Sequence, residues 1–187
     1  KEYPLQKPGD LIRSFDSINL HGQISPQNLN ELLDLSATNI RSLSSFFISR
    51  TEVVQLARLN MSALVELRMS YSRICDKSLA ELEGKLPNLR YLQLTCLDNV
   101  ENKTVVGLIA TCEKLERLYI RNSIVREGYY NHKTEEFSLT IAALPSSISI
   151  KALTALALQN MKWLDDLTLV SLTRLCHSLT SVSLNHC

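Results

Sequence analysis

The chain has little glycine or proline, five of each among 187 residues, so it lacks the composition of a flexible linker or a low-complexity segment. No apolar run approaches the length of a membrane-spanning helix, and no signal-peptide pattern opens the chain. The formal net charge is only +1, and the basic residues form no block. We therefore expect no contact with a membrane and no direct contact with nucleic acid.

Cysteine is also sparse. Five cysteines at wide spacings do not resemble the framework of a disulfide-rich secreted protein. We expect reduced, buried thiols and a cytoplasmic or nuclear protein. Two glycosylation sequons, Asn60-Met-Ser62 and Asn102-Lys-Thr104, leave an extracellular alternative open.

What the chain does contain is a repeat. Places 1, 4 and 6 of a recurring frame are apolar with the single exception of Ser45, and the place three before each frame is apolar as well. The intervals between successive frames are 25, 24, 25, 26, 38 and 26 residues. The seven frames begin at Phe15, Ile40, Leu64, Leu89, Leu115, Leu153 and Leu179.

Each frame predicts a short strand, and the apolar spacing between frames predicts helices within residues 27–35, 76–86, 102–112 and 165–176. One strand and one helix cannot bury both apolar faces alone, so successive units must stack. We predict an α/β fold, a right-handed leucine-rich-repeat solenoid shaped like a horseshoe, with parallel strands on the concave face and helices on the convex face. Residues 1–187 form a single domain of about seven repeats in this interpretation, which we take as a fragment of a longer protein.

The interval of 38 residues contains an insertion at residues 125–136. Solvated loops of this length are tolerated on protein surfaces, so one interpretation gives the segment no specific role. The other makes it a partner-contacting loop through Arg126, Tyr129 and Tyr130, which are residue types common at interfaces.

The last frame is similar to the cysteine-containing leucine-rich repeats of F-box substrate receptors. The similarity lies in Cys176-His-Ser-Leu179 and Leu184-Asn-His-Cys187, and it extends to Trp163-Leu-Asp-Asp166-Leu-Thr and Ile74-Cys-Asp76-Lys-Ser-Leu79. The resemblance implies the substrate-recognition part of a cullin-type ubiquitin ligase. A Skp1-like adaptor and a cullin would then bind through regions outside this chain, and partner subunits would transfer ubiquitin.

Candidate chemistry is weak by comparison. Cys176-His177 and His186-Cys187 offer four zinc ligands, but at unsuitable spacing. Cys96-Leu-Asp98 superficially matches a Cys-x-Asp motif of bacterial ubiquitin ligases, although it falls where a strand ends. We expect no enzymatic activity, no metal and no cofactor.

Side chains at places 3, 5, 7 and 8 should line the concave face. Small polar residues dominate its two ends, whereas the middle frames concentrate arginine, tyrosine and glutamate, the first two being typical of binding hot spots. We predict that this face binds a protein partner, the alternatives being a solvated sheet surface or a scaffold subunit of a larger assembly. The predicted contact residues are Glu66, Arg68, Tyr71, Tyr91, Gln93, Arg117, Tyr119 and Arg121.

Overall fold

The structure, a computed structural model, describes residues 17–20, 39–46, 50–58, 61–70, 76–95, 102–121, 151–159, 166, 170 and 176–186. Three helices lie between strands in these ranges: α1 (Arg50–Arg58), α2 (Asp76–Ala80) and α3 (Asn102–Ala110). The seven strands are β1 (Ser17–Leu20), β2 (Ser42–Phe46), β3 (Glu66–Ser70), β4 (Tyr91–Thr95), β5 (Arg117–Arg121), β6 (Ala155–Gln159) and β7 (Ser181–Asn185).

All seven strands form one parallel sheet, in which each strand pairs with the next strand along the chain. Equivalent places of the repeat pair with one another, so that Glu66, Tyr91 and Arg117 lie in one row across β3, β4 and β5. The long interval does not shift this register, because Arg117 pairs with Ala155 just as the repeat frame requires. The fold is therefore α/β with a seven-stranded, all-parallel sheet, as the frame predicted.

The entries to β3, β4, β5, β6 and β7 repeat the same pair of backbone hydrogen bonds. The carbonyl oxygen of Arg41 accepts from the backbone N–H groups of Val65 and Glu66 at 2.8 and 2.9 Å. Across the long interval, the carbonyl of Glu116 accepts from Thr154 and Ala155 at 2.8 and 3.0 Å in the same way. Each of these five units is thus hydrogen-bonded to the preceding one where its strand begins.

The core lies between one face of the sheet and the helices. Leu67, Leu92 and Leu118 alternate with outward-facing residues along their strands, and each is at most 4% exposed. Helix residues such as Leu56 and Leu108 belong to the same buried cluster. Each fully buried leucine contributes about 1.5–3 kcal/mol to folding. Ser45, the exception in the apolar pattern, still lies on the core side, at 3% exposure.

The helices differ in detail from the sequence prediction. Helix α2 ends at Ala80 rather than near Leu86, because the chain continues in tighter turns: Leu82 and Glu83 donate to carbonyls three residues back, both at 3.0 Å. Gly84 then adopts a left-handed φ of 71°, which a helix does not allow. Leu82 and Leu86 remain buried nonetheless.

Helix α3 agrees with the predicted segment, whereas α1 lies outside the four segments for which a helix is predicted. The predicted helix at 27–35 lies outside the described residues, and of the one at 165–176 only residues 166, 170 and 176 are described. None of the described helices is long and apolar enough to span a bilayer.

Two cysteines that precede repeat frames are core residues. Cys112 and Cys176 are free thiols, each 2% exposed. Burial raises the pKa of Cys112 to about 11 and also raises the pKa of Cys176, because an apolar environment disfavours the thiolate. His177 next to Cys176 is exposed, so these neighbours do not face one site.

Candidate binding site

The sheet face opposite the helices presents the outward-facing residues of all seven strands, and we call it the open face. Its character changes along the sheet: serine and asparagine dominate β1 and β7, β6 contributes two alanines, and the large side chains gather in β3 to β5. Its residues are Ser17, Asn19, Ser42, Ser44, Phe46, Glu66, Arg68, Ser70, Tyr91, Gln93, Thr95, Arg117, Tyr119, Arg121, Ala155, Ala157, Gln159, Ser181, Ser183 and Asn185.

Tyr91 is at the centre of this cluster. Its ring receives one guanidinium from each neighbouring strand, with Arg68 Cζ 4.8 Å and Arg117 Cζ 5.2 Å from the ring centroid. Arg117 lies directly beside Tyr91 in the sheet, whereas Arg68 reaches it diagonally from the place beside Gln93. Both distances fall within the range of cation–π attraction, so the ring holds the two arginines in place.

Glu66 is the acidic member of the cluster. It accepts a hydrogen bond from Ser42 Oγ at 3.3 Å, and its Oε2 lies 3.5 Å from Arg68 Nη2. The side chains of Arg68 and Glu66 are 45% and 31% exposed, so water screens this long ion pair and it contributes no more than about 1 kcal/mol. Glu66 thus partly neutralises the charge of Arg68 on the open face.

Each tyrosine hydroxyl orients a glutamine. Tyr91 donates to Oε1 of Gln93 at 2.9 Å, and Tyr119 donates to Oε1 of Gln159 at 2.7 Å. The second bond connects β5 to β6 across the long interval. Because the amide oxygens accept these bonds, the amide N–H groups of both glutamines keep their capacity to donate.

A depression lies at the carboxyl ends of β2 to β5, with a volume of about 320 Å³. Two of its lining residues, Ser70 and Thr95, are buried. Both occupy place 7 of their frames, which predicts them on the concave face, and larger neighbours cover their short side chains. The depression is lined by Phe46, Ser70, Tyr91, Gln93, Thr95, Tyr119 and Arg121.

The open face carries a small excess of positive charge. Its described residues include three arginines, Arg68, Arg117 and Arg121, and one glutamate, Glu66, which gives a net charge of +2. Glu116, which is next to Arg117 in sequence, is not one of the residues that define this face. Glu116 precedes β5 and accepts from Arg90 Nη1 at 2.9 Å, beside the strand entries, so it does not neutralise the face.

The structure brings seven of the predicted contact residues together on the open face: Glu66, Arg68, Tyr91, Gln93, Arg117, Tyr119 and Arg121. Tyr71 and the predicted insertion-loop contacts Arg126, Tyr129 and Tyr130 lie outside the described residues, as does the whole segment 125–136. The prediction missed Phe46, which lines the depression. Place 7 of the second frame would have identified it.

The zinc site and the Cys-x-Asp motif gain no support from the described part of the chain. No three or more His, Cys, Asp or Glu side chains are grouped there so that they could hold a metal ion. Cys96, Asp98 and Cys187, which the zinc and Cys-x-Asp alternatives require, fall outside the described residues.

A scan against protein-family models and a search of curated proteins find no match to this chain. The similarity to F-box substrate receptors therefore stays a prediction from individual motifs.

Proposed function

We propose that this chain is a non-catalytic protein-binding module whose open face contacts a protein partner through β3 to β5. The observation that carries the proposal is the Tyr91 ring flanked by Arg68 and Arg117 on an otherwise Ser-, Asn- and Ala-rich surface. Arginine and tyrosine dominate binding hot spots because each combines a large contact area with directional polar groups. Here neighbouring side chains already orient them, which lowers the entropy lost on binding.

We further infer that the parallel sheet belongs to a right-handed leucine-rich-repeat solenoid. The inference is supported by the regular frame, the in-register pairing and the repeated hydrogen bonds at the entries to β3 to β7. Helices are about 10 Å wide, whereas neighbouring strands are only about 4.8 Å apart, so a stack with helices on one side curves toward its strands. The open face would then be the concave face of a horseshoe.

The narrower role we propose is that of a substrate-recognition part in a cullin-type ubiquitin ligase. Its support is the similarity of the motifs around Cys176 and Asp76 to F-box substrate receptors. In that role a Skp1-like adaptor and a cullin bind outside this chain. The competing role is a scaffold subunit of another assembly, for which the open face would serve equally well.

The proposal also includes a reducing compartment, the cytoplasm or the nucleus, and no direct binding of nucleic acid. Free, buried Cys112 and Cys176 favour the first point. The net charge of +2 on the open face favours the second, because proteins that bind duplex DNA commonly make about 6–10 phosphate contacts.

The test is affinity purification from cells that contain the protein, followed by titration of the retained partner. We expect Tyr91→Ala, Arg117→Ala and Tyr119→Ala each to weaken partner binding by about 1–3 kcal/mol, or roughly 5- to 150-fold in Kd. Arg90→Ala is the matched control, because Arg90 is an exposed arginine that pairs with Glu116 and, like it, precedes a strand instead of belonging to the open face. Unchanged affinity after all three open-face substitutions would refute the proposal.

The same purification separates the two narrower roles. A Skp1-like adaptor and a cullin should be recovered with the full-length protein if it belongs to a ubiquitin ligase. Recovery of the open-face partner with neither adaptor nor cullin would exclude the ligase role and favour the scaffold.

A further inference from the structure

We propose that the depression at the carboxyl ends of β2 to β5 binds a short acidic segment of a protein partner. An aspartate or glutamate carboxylate of the segment pairs with Arg121, and an adjacent apolar side chain packs against Phe46, Tyr91 and Tyr119. This inference rests on the proposed function, since it specifies the chemistry of the partner segment that binds to the open face.

Charge is the first reason. Arg121 lines the depression, and among the described residues no acidic side chain pairs with it or with Arg117. Glu66 contacts Arg68 at the other end of the cluster. The face therefore keeps uncompensated positive charge, and a carboxylate can form a charge-assisted, bidentate pair with a guanidinium.

Shape is the second reason. The volume of about 320 Å³ is at the lower end of the range for ligand pockets, so it accommodates one or two side chains rather than a large cofactor. Three aromatic side chains supply apolar walls, and Gln93 supplies polar groups between them. A carboxylate with an apolar neighbour in sequence matches this combination.

The number of arginines that line the depression favours a carboxylate over a phosphate as the bound acidic group. Only one guanidinium, that of Arg121, is among the residues lining the depression. Arg117 lies four residues earlier on the same strand, so its Cα is about 13 Å from that of Arg121 at about 3.3 Å per residue, and its guanidinium lies over the Tyr91 ring instead of among the lining residues. One arginine balances one carboxylate, whereas a phosphorylated side chain carries nearly two charges. Arg117 then attracts the segment at longer range without contacting the bound carboxylate.

The experiment is selection of peptides from a random 12-residue display library on the full chain, followed by fluorescence-polarisation titration of the selected peptides. We expect enrichment of peptides with Asp or Glu next to Leu, Ile or Phe. Arg121→Gln should weaken their binding at least tenfold, Arg117→Gln should weaken it less, and the control Arg90→Gln should leave it unchanged. Raising NaCl from 50 to 500 mM should weaken binding to the wild-type chain and have little effect on the residual binding of Arg121→Gln.

A second variant distinguishes loss of the charge interaction from loss of the folded structure. Arg121→Glu should reverse the selection toward peptides containing Lys or Arg, a result that an unfolded chain cannot give. Selected peptides without acidic residues, or equal affinity for the wild-type chain and Arg121→Gln, would overturn the inference, and so would a selection that enriches nothing over uncoated support.

These failures are distinguishable from failure of the proposed function. Neutral peptides that depend on Tyr91 and Tyr119 would overturn the acidic-segment inference while supporting binding at the open face. If no open-face substitution changes the binding of the selected peptides or of the natural partner, both the acidic-segment inference and the proposed function are refuted.

Discussion

The arrangement of Tyr91 between Arg68 and Arg117 makes a quantitative prediction about stability. If the ring holds the guanidinium groups by cation–π attraction, the contacts at 4.8 and 5.2 Å each contribute about 0.5–1 kcal/mol at this partly exposed site. Tyr91→Leu removes both contacts and the hydrogen bond to Gln93, so we expect it to lower the free energy of unfolding by about 1.5–3 kcal/mol.

Tyr91→Phe is the matched control. It keeps the aromatic ring and loses only the hydroxyl that donates to Gln93, so the expected loss is about 0.5–1 kcal/mol. The difference between the Phe and Leu variants, about 1–2 kcal/mol, measures the ring's interaction with the two cations. Urea unfolding monitored by far-ultraviolet circular dichroism provides the free energies.

Strand propensity and buried area also differ between phenylalanine and leucine, so the comparison is repeated in a chain carrying Arg68→Met and Arg117→Met. Methionine keeps much of the arginine side chain's volume without its charge. The difference between Phe and Leu at position 91 should fall by about 1–2 kcal/mol in that background. An unchanged difference would refute the cation–π explanation and leave Tyr91 as an ordinary packed side chain.

Three further predictions concern the scaffold. Leu92→Ala should lower the free energy of unfolding by about 2–5 kcal/mol, measured in urea, because Leu92 is 0% exposed in the central strand. Gly84→Ala should cost about 1 kcal/mol in the same assay through its left-handed φ alone, since a Cβ there meets no atom within 4 Å. Burial raises the pKa of Cys112 from 9.0 to about 11, so the unfolded thiol ionises first and stability falls as pH rises from 9 to 11. At pH 10 this loss is about 1.4 kcal/mol, and Cys112→Ala should abolish that part of the pH dependence in urea titrations.

The strands and the membership of the open face could be predicted because both follow from the repeat frame. Once equivalent places align, Glu66, Tyr91 and Arg117 must lie side by side, and the pairing of the strands confirms this. Phe46 was missed because Ser45 weakened the frame that contains it, although a buried serine at that place preserves the strand.

Other features depend on local backbone geometry and on side-chain conformations that the repeat frame does not determine. The early end of α2 reflects tight turns leading to Gly84, whereas apolar spacing alone continued the helix through Leu82 and Leu86. The pairing of Glu116 with Arg90, and of Glu66 with Arg68, likewise depends on side-chain conformation. Sequence spacing located the surface, and the side-chain contacts determined its electrostatic character.

The most direct test of the central claim is to ask which face the natural partner touches. A photo-reactive aromatic residue would replace Ser44 or Ala157, which lie on the open face on either side of β3 to β5, or exposed Glu81, which follows α2 on the helix side. Irradiation of the purified complex should cross-link the partner from positions 44 and 157 and not from position 81. Cross-linking from position 81 alone would contradict binding at the open face.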